Sequence, residues 1–509
     1  MFRFCHILIF LQSAWLWSQP PLNQREDFGR DANATSTILS TDSCYYAIGS
    51  AYNDIVPNHL DLVFTKYDLN GAILTQKFYH NDSLQYNSLG SNAIIENADG
   101  NLVYIASAYP YYCYFKFNHL GDTISTNLID EFKLNNSFNS TRTRTIIEEP
   151  SDSSLNCLFW IFDEINSVEK AIFANLDKYG NLNYDQSYES PLTGLGYDSF
   201  VPGSMTKRDN SNYLIIGTLN KYDGNVENTR RTLHFIEIDD LGSIVQTKTD
   251  FTHDLIYYPV SLVNTNDSGH LFCGHIGSSI QGITTYKKNL ICKLNSDLEI
   301  DWEIIRNDSA SGFTKIGMEK IVAINDSMFA GCGETFIDSL SEGYLMKFDI
   351  NGNMKWESKI RKAEWTSWSS IPNQGFYNMD ITEDGGFVMV GEVQDFYSST
   401  NQQGWLVKTD SNGCLIADCQ DFVNTPTLPD SFEWSLYPNP SSGYLKIDIP
   451  LAFSKVDLCI TDVSGKQILK ETLISSSNLI HLSDVVAGVY FVSIYKNGIL
   501  RDTKKLVIE

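Results

Sequence analysis

Positive charge is scarce in this chain. Its 37 Lys and Arg face 62 Asp and Glu, a formal net charge of -25 at pH 7. A surface of that sign repels phosphate backbones and anionic headgroups, so nucleic acid and charged membranes are poor partners. No Cys-x-x-Cys pair occurs, which argues against a zinc ribbon. After residue 17 no apolar run approaches the roughly 20 residues that cross a bilayer, so no transmembrane segment is expected. Between 36 and 420 no stretch holds a 3.6-residue apolar period, which rejects a helical solenoid. Also missing are Gly-x-Ser-x-Gly, a phosphate-cradling loop, and Gly-x-Gly-x-x-Gly ahead of a helix. The nine His fall into no His-Glu-x-x-His arrangement. The sequence thus nominates no catalytic residue, no cofactor and no metal ligand.

What is present points to strands. Aromatics make up 13% of the 509 residues, with 27 Tyr and 28 Phe, a composition suited to packed β structure rather than disorder. The length calls for a large domain and at least one other. Met1-Phe-Arg3 followed by the mostly apolar Cys5–Trp17 and a small Ser18 reads as a signal peptide over 1–18. With Cys5 removed, nine cysteines remain, so an exported chain keeps at least one thiol outside an internal disulfide.

Residues 36–420 are repetitive. Each unit begins with an Asp or Asn turn and an apolar strand ending in a small residue, as in Asp42-Ser-Cys-Tyr-Tyr-Ala-Ile-Gly49 and Asp384-Gly-Gly-Phe-Val-Met-Val-Gly391. A degraded copy starts at Asp152. The second half is a strand, an Asp-x-x-Gly turn and another strand, as in Lys66-Tyr-Asp-Leu-Asn-Gly71 and Lys347-Phe-Asp-Ile-Asn-Gly352. Asp or Asn opens such a turn through its side chain, and Gly takes the positive-φ position that closes the hairpin. The anchors Asp68, Asn118, Asp177, Asp239, Asn295, Asp349 and Asp410 recur every 50 to 62 residues. Seven copies of a four-stranded unit at this period predict a seven-bladed β-propeller over 36–420. The first-half apolar segments are read as its inner strands, and the hairpins as its outer ones. Unit five has Leu298 where the others have Gly, so its turn should differ. The spacing varies through loops 51–60, 219–231, 276–288 and 393–404, where binding would evolve on a rigid scaffold. Residues 421–433, polar with two prolines, read as a linker.

A few positions in the repeats invite chemistry. Cys414 and Cys419 flank four residues after the last turn and are read as a short disulfide. Cys273 and Cys292 fall on adjacent strands, where a second bridge could form if the geometry allowed it. His270, Cys273 and His275 suggest a metal, but strand alternation puts His270 on the face opposite Cys273 and His275, and the motif aligns with an ordinary repeat strand. Thr382-Glu-Asp384-Gly-Gly386 partly resembles the Asp box of sialidase propellers, yet Val388 and Met389 replace its Thr and Trp, and a plain turn accounts for it. Asp-rich turns such as Asp349-Ile-Asn-Gly-Asn353 lack the alternating ligands and final Glu of a calcium loop.

The last 75 residues, 435–509, alternate apolar and polar in short runs separated by turns, which predicts a small antiparallel β-sandwich of Ig-like type. Four blocks stand out in order. They are Tyr437-Pro438-Asn439-Pro440 with Gly443; Asp462 with Gly465-Lys466; Leu482 with Gly488 and Tyr490; and the terminal Lys505-Leu506-Val507-Ile508. In these blocks the segment resembles the type A C-terminal sorting domain of proteins exported by the bacterial type IX secretion system. The resemblance implies passage across the inner membrane by the signal peptide and across the outer membrane by recognition of 435–509. It implies type IX machinery and its sortase-like peptidase as partners, with cargo released or attached to surface lipopolysaccharide of a Gram-negative bacterium.

The chain is therefore expected to be all-β: signal peptide, propeller, linker and sorting domain. The leading expectation is a secreted or cell-surface protein whose propeller binds an extracellular glycan or protein without catalysis. The rival is an exported hydrolase or lyase with its active site at the propeller mouth. Acidic and aromatic residues clustered at one mouth would favour binding or catalysis over a spacer.

Overall fold

The computed structural model of the chain describes residues 21–509 apart from 27, 29–32, 54, 57–58, 89–93, 131–141, 164–167, 222–229, 252–255, 281–282, 307–316, 338–339, 363–372, 395–401, 417–418, 420–433, 450–455, 464, 474–476, 483–484 and 497–498. The segments read as signal peptide and linker lie outside the described residues. Two compact units result, Met1–Cys419 and Gln420–Glu509. Among the described residues every element is a strand except a 3-10 turn at Thr193–Leu195. No described helix is long and apolar enough to cross a membrane.

Seven antiparallel sheets, here called blades, make up the first unit among its described residues. Blade 1 runs through Asn33–Thr41, Cys44–Tyr52, Leu60–Tyr67 and Ile73–Tyr79. In blade 2 the first strand is split into Gln85–Asn87 and Ile94–Glu96; Leu102–Tyr109, Tyr111–Phe117 and Thr123–Ile129 follow. Blade 3 holds Arg142–Glu148, Leu155–Asp163, Val168–Leu176 and Leu182–Tyr188, and blade 4 holds Tyr197–Lys207, Tyr213–Lys221, Arg230–Ile238 and Ile244–Asp250. Blade 5 is Ile256–Asn264, His270–Ile280, Ile283–Leu294 and Ile300–Arg306. Blade 6 is Gly317–Asn325, Met328–Ile337, Leu340–Asp349 and Met354–Ile360. Blade 7 takes Asn373–Ile381, Phe387–Gln394 and Gln402–Thr409, and its fourth strand is Leu22–Glu26 from the start of the chain. First strands touch from blade 3 through to blade 7, that of blade 7 touches that of blade 1, and blade 2 bridges blades 1 and 3. The ring is closed, and the unit is a β-propeller.

The repeat motif fits this ring with one correction. Its apolar segments are the second strands, not the innermost ones. The innermost strand of each blade is the segment ahead, which contains Tyr257-Tyr258 in blade 5 and Phe376-Tyr377 in blade 7. Each first strand outside blade 2 carries a bulge at a matching place, leaving Ser36, Arg144, Gly203, Val260, Glu319 and Tyr377 as extra residues. The bulge swings a carbonyl of the first strand onto the second. That is why blades 4 to 7 have glycine there: an added Cβ would lie 1.9 Å from the Tyr258 carbonyl oxygen at Gly274 and 1.8 Å from that of Gly375 at Gly391, whereas blade 3 sets Phe159 at the matching place.

The outer hairpins use the expected turn. In blade 1 the Asp68 carboxylate accepts from the backbone N–H of Asn70 and Ala72, and Gly71 adopts φ 79°. The recurrent Lys ahead of these turns is explained by the first hairpin. Lys116, Lys293 and Lys408 bury their stems and reach Asp99, Asp267 and Asp384 at 2.8, 3.0 and 3.1 Å. Asp384 of the Asp-box-like stretch serves this anchoring and accepts from Gly386 N–H at 3.1 Å.

One expectation fails, and one pairing left open is not made. The turn of unit five does not differ. Leu298 takes φ 59° and closes the same hydrogen bond, its N–H donating to Asn295 O at 3.0 Å. A non-Gly residue in this conformation costs about 1–2 kcal/mol. Leu298 is buried beside Leu233 and Phe235 of blade 4, and burial of a Leu side chain returns about 1.5–3 kcal/mol. Cys273 and Cys292 are not bridged either. Cys273 pairs with Ile291 and Cys292 with Phe272, a one-residue offset that sends the two thiols to opposite faces, where both are buried and free.

The second unit is a two-layer sandwich. One sheet is Ser435–Tyr437, Tyr444–Asp448 and Ser477–His481; the other is Gln467–Leu473, Val456–Asp462, Gly488–Lys496 and Ile499–Ile508. Alternate residues of both sheets, among them Leu445, Ile447, Leu458, Ile460, Val492 and Leu506, meet in one core.

Replacing Gly391 tests the bulge argument. Gly391→Ala should lower the unfolding free energy by about 2–3 kcal/mol in urea titration, because the methyl meets backbone rather than a movable side chain. Gly385→Ala, at φ 78° with open space around the added methyl, should cost only about 1–2 kcal/mol.

Candidate functional site

Each unit presents one region where polar chemistry gathers. In the second unit it is the strap Tyr437–Pro440, whose residues are all exposed. The strap is held by its own side chains. Asn439 Nδ2 donates to Lys505 O at 2.8 Å, and Asn439 Oδ1 accepts from Val507 N–H at 2.9 Å. One amide thus stands in for a strand along the edge of Ile499–Ile508. Ser441 N–H then donates to Val507 O at 2.8 Å, and Glu509 N–H to Ser441 O at 2.9 Å. The first and last sequence blocks, 66 residues apart, become one patch. Tyr437 leans along that patch, with Lys446 Nζ 5.3 Å from its ring centroid and its hydroxyl 2.5 Å from Asp448 Oδ2.

The middle blocks are structural. Gly443 O accepts from Leu482 N–H at 2.8 Å, joining block one to block three. Asp462 accepts from Lys466 N–H through Oδ1 at 3.1 Å, and Gly465 closes the turn at φ 83°. Tyr490 is buried, and its hydroxyl donates to Val486 O at 2.6 Å across Gly488. Pro438, Pro440, Lys466 and Lys505 stay exposed. Such an arrangement offers a partner a stiff surface of one aromatic ring, two prolines and exposed lysines.

In the propeller, loops 51–60, 219–231, 276–288 and 393–404 all join second to third strands, so the topology gathers them at one end of the ring. Second strands point toward that end. In blades 1 and 4 to 7 the residue after the small position lies on the side of that end: Ser50, Thr218, His275, Glu334 and Glu392. Bulge residues stand beside them. The Tyr377 hydroxyl is held well above its usual range by burial, reinforced by Glu392, which accepts from it, and by Glu334 and Glu319. One carboxylate thus bonds the phenol, and two more from blade 6 act on it through their charge. Gln402 Nε2 donates to Glu392 and Ser341 Oγ to Glu334, which fixes both carboxylates. Nearby, burial pulls the Lys320 ammonium down, opposed by Asp380.

On blades 3 to 5 the same level is aromatic and cationic. Arg144 lies over the Trp160 ring at 4.9 Å. His275 stacks on Tyr258 at 4.3 Å, and the Arg231 guanidinium lies 4.3 Å from the Tyr258 ring centroid. Carboxylates that accept from hydroxyls, beside flat rings flanked by guanidinium groups, form a surface suited to polar ligands with apolar faces.

The structure does not bring His270, Cys273 and His275 together. His270 is buried and pushed down to about 4 by that burial, with Nδ1 3.0 Å from Asn264 Oδ1. Cys414 and Cys419 form a disulfide. A grouping the sequence did not disclose is His59, Asp61 and His80, whose ligand atoms all lie within 4.8 Å of one another. Twenty-one positions separate the two His, so no spacing motif marks them; the signal available was only that His59 falls in a variable loop.

Comparison with known proteins bears on the two units unequally. Residues 435–509 match the family described as Secretion system C-terminal sorting domain. The second unit is such a sorting domain, and the chain carries an export signal at its C-terminal end. No curated protein is similar to the chain in sequence. Among solved structures, the polysaccharide lyase Uly1 is similar at 9% identity and TM-score 0.45, over 74% of this chain and 90% of its own. The β-propeller domain of the Trilobed protease from Pyrococcus furiosus is similar at 12% identity and TM-score 0.41, over 76% and 98%. An α-L-arabinanase from Penicillium chrysogenum is similar at 11% identity and TM-score 0.41, over 77% and 99%. Likenesses this distant say nothing about what the present propeller binds.

The strap geometry makes Asn439 the position to test. Asn439→Ala removes both bonds to the last strand and should lower the stability of the sorting unit by about 1–2 kcal/mol. Hydrogen exchange at Val507 should speed up in the same variant, since its amide loses its acceptor.

Proposed function

We propose that this chain is cargo of the type IX secretion system, and that its sorting domain delivers the propeller to the cell surface or the medium, where the propeller binds a glycan or protein without catalysis. The observation that carries the reading is the sorting domain itself, with its first and last blocks folded into one patch on a separately packed unit. The type IX machinery would read that patch, and its sortase-like peptidase would remove the unit on arrival. The net charge of -25 suits a soluble life outside the cell.

For the propeller, the support is the clustering at the loop-bearing end. Tyr258, Trp160 and Tyr377 supply flat faces, Arg144 and Arg231 supply cations, and Glu334 and Glu392 supply acceptors. These are the groups that hold sugar rings or peptide side chains in a groove. The second reading, an exported hydrolase or lyase, is favoured by one feature: Tyr377, with one carboxylate bonded to it and two more acting through their charge, gives the proton-handling groups that such chemistry needs.

Two experiments separate these readings. Deleting 435–509 should leave the protein in the periplasm, seen by cell fractionation; normal surface delivery of the truncated chain would refute the sorting role. A glycan array and a glycosidase and lyase panel, applied to residues 19–420, should give binding without product. Tyr258→Ala should weaken that binding by about tenfold or more, as loss of an aromatic anchor does. Product formation that Tyr377→Phe abolishes would establish the enzyme reading instead.

A further inference from the structure

The geometry points to a binding site for one divalent transition-metal ion of the zinc type, formed by His59, Asp61 and His80 at the loop-bearing edge of blade 1. These residues come from the loop before the third strand, the third strand itself and the segment after the fourth. The sheet register sets Leu62 opposite Tyr79, which makes Asp61 and His80 cross-strand neighbours.

The loop is built to hold His59 in place. Asn53 N–H donates to His59 O at 2.7 Å, and His59 N–H donates to Val56 O at 3.2 Å. The Asn53 side-chain oxygen accepts from Ile55 N–H and Val56 N–H at 2.8 and 2.9 Å. His59 is thereby buried, 6% exposed, against a fully buried Asp61. Its Nδ1 has no hydrogen-bond partner among the described residues and lies 3.9 Å from Asp61 Oδ1. An unpartnered buried ring nitrogen is costly and calls for an occupant.

The surrounding bonds select which atoms converge. Asn53 Nδ2 donates to Asp61 Oδ2 at 2.8 Å, which leaves Oδ1 turned to the two rings. His80 Nε2 lies 3.1 Å from Asp82 Oδ1, the carboxylate–histidine pairing that fixes a tautomer, while its other nitrogen lies 3.1 Å from Asn53 Nδ2, a contact that an incoming ion displaces. That other nitrogen, Nδ1, is 2.8 Å from Asp61 Oδ1. Three acceptor atoms thus face one small space, and a cation satisfies all of them.

Size and donor type narrow the cation. Tetrahedral zinc with ligands at about 2.0–2.2 Å needs ligand atoms about 3.3 Å apart. The His59–Asp61 separation of 3.9 Å has to close slightly and the His80–Asp61 separation of 2.8 Å has to open slightly, both within reach of a side-chain rotation. Two imidazoles and one carboxylate suit zinc and its neighbours, whereas calcium and magnesium require oxygen ligands throughout. His80 is exposed, so water completes the coordination and the ion has a path in. The competing occupant is a proton shared by His80 and Asp61.

The test uses the full exported chain, stripped with chelator and titrated with Zn²⁺ by calorimetry, with bound metal counted by mass spectrometry and Co²⁺ absorption as a geometric probe. One ion per chain, a raised thermal midpoint and the intense visible bands of tetrahedral Co²⁺ are expected. His80→Ala should weaken binding by about 100-fold or more, and the rise in thermal midpoint on adding Zn²⁺ should vanish whatever the metal-free midpoint of the variant. His59→Gln should weaken it similarly; if that variant fails to fold, His80→Ala alone decides. His275→Ala should leave the affinity unaltered. Absence of stoichiometric Zn²⁺, or binding that His80→Ala does not weaken, overturns the site and leaves the proton as its occupant.

Discussion

The ring holds because every blade reaches into the outer turn of the next. At each of the seven junctions a side chain of one blade donates to a turn carbonyl of the blade that follows. Tyr79 bonds Gly121 O, Asn127 bonds Gly180 O at 2.9 Å and Tyr188 bonds Gly242 O at 2.6 Å. Lys248 bonds Asp297 O at 2.8 Å, Trp302 bonds Ile350 O at 3.2 Å and Lys347 bonds Ser411 O at 3.5 Å. Gln24, on the strand from the start of the chain, bonds Gly71 O at 2.7 Å and completes the circle. The same turns rest on apolar bodies of the blade before: Gly121 on Phe64, Gly180 on Tyr114, Gly413 on Trp356. Each bond is worth about 1 kcal/mol net, but the packing beneath it is what fixes the angle between blades.

This arrangement explains what could and could not be read from the sequence. The Asp-x-x-Gly turns were legible because a local backbone demand, positive φ, selects glycine. The donors that meet them were not, since Gln, Tyr, Asn, Lys and Trp fill equivalent places with different chemistry. Leu298 shows the limit of the local rule. It breaks the turn pattern, yet contact with blade 4 supplies enough burial to hold a leucine in a glycine's conformation. The closing strand Leu22–Glu26 has no alternation to betray it; it is recruited by pairing with Gln402–Thr409 and by the bond from Trp405 Nε1 to Asn23 Oδ1 at 2.8 Å.

The small residue within the second strands was visible as a repeated feature, but its cause lies in another strand. A bulge in the first strand forces a carbonyl against it, and the same bulge supplies Glu319 and Tyr377 at the loop-bearing end. Structure and candidate site therefore share one device: the distortion that requires glycine on one strand presents a functional group on the next. Sequence alone shows the glycine and hides the bulge, because the extra residue can be of any type. His59, Asp61 and His80 are hidden for a related reason. Their proximity is a matter of register between the third and fourth strands, which no spacing rule encodes.

The sorting blocks were legible because they are turns and edge residues that make their bonds within one small sandwich. Its core draws only on residues from Trp434 to Ile508, while the propeller clusters draw only on residues up to Leu415. The disulfide between Cys414 and Cys419 lies at the boundary, closing the last propeller turn on the propeller side. It closes a short loop behind Gly413, so the last turn is held covalently as well as by the bonds its Asp410 carboxylate accepts from Asn412 and Cys414 N–H.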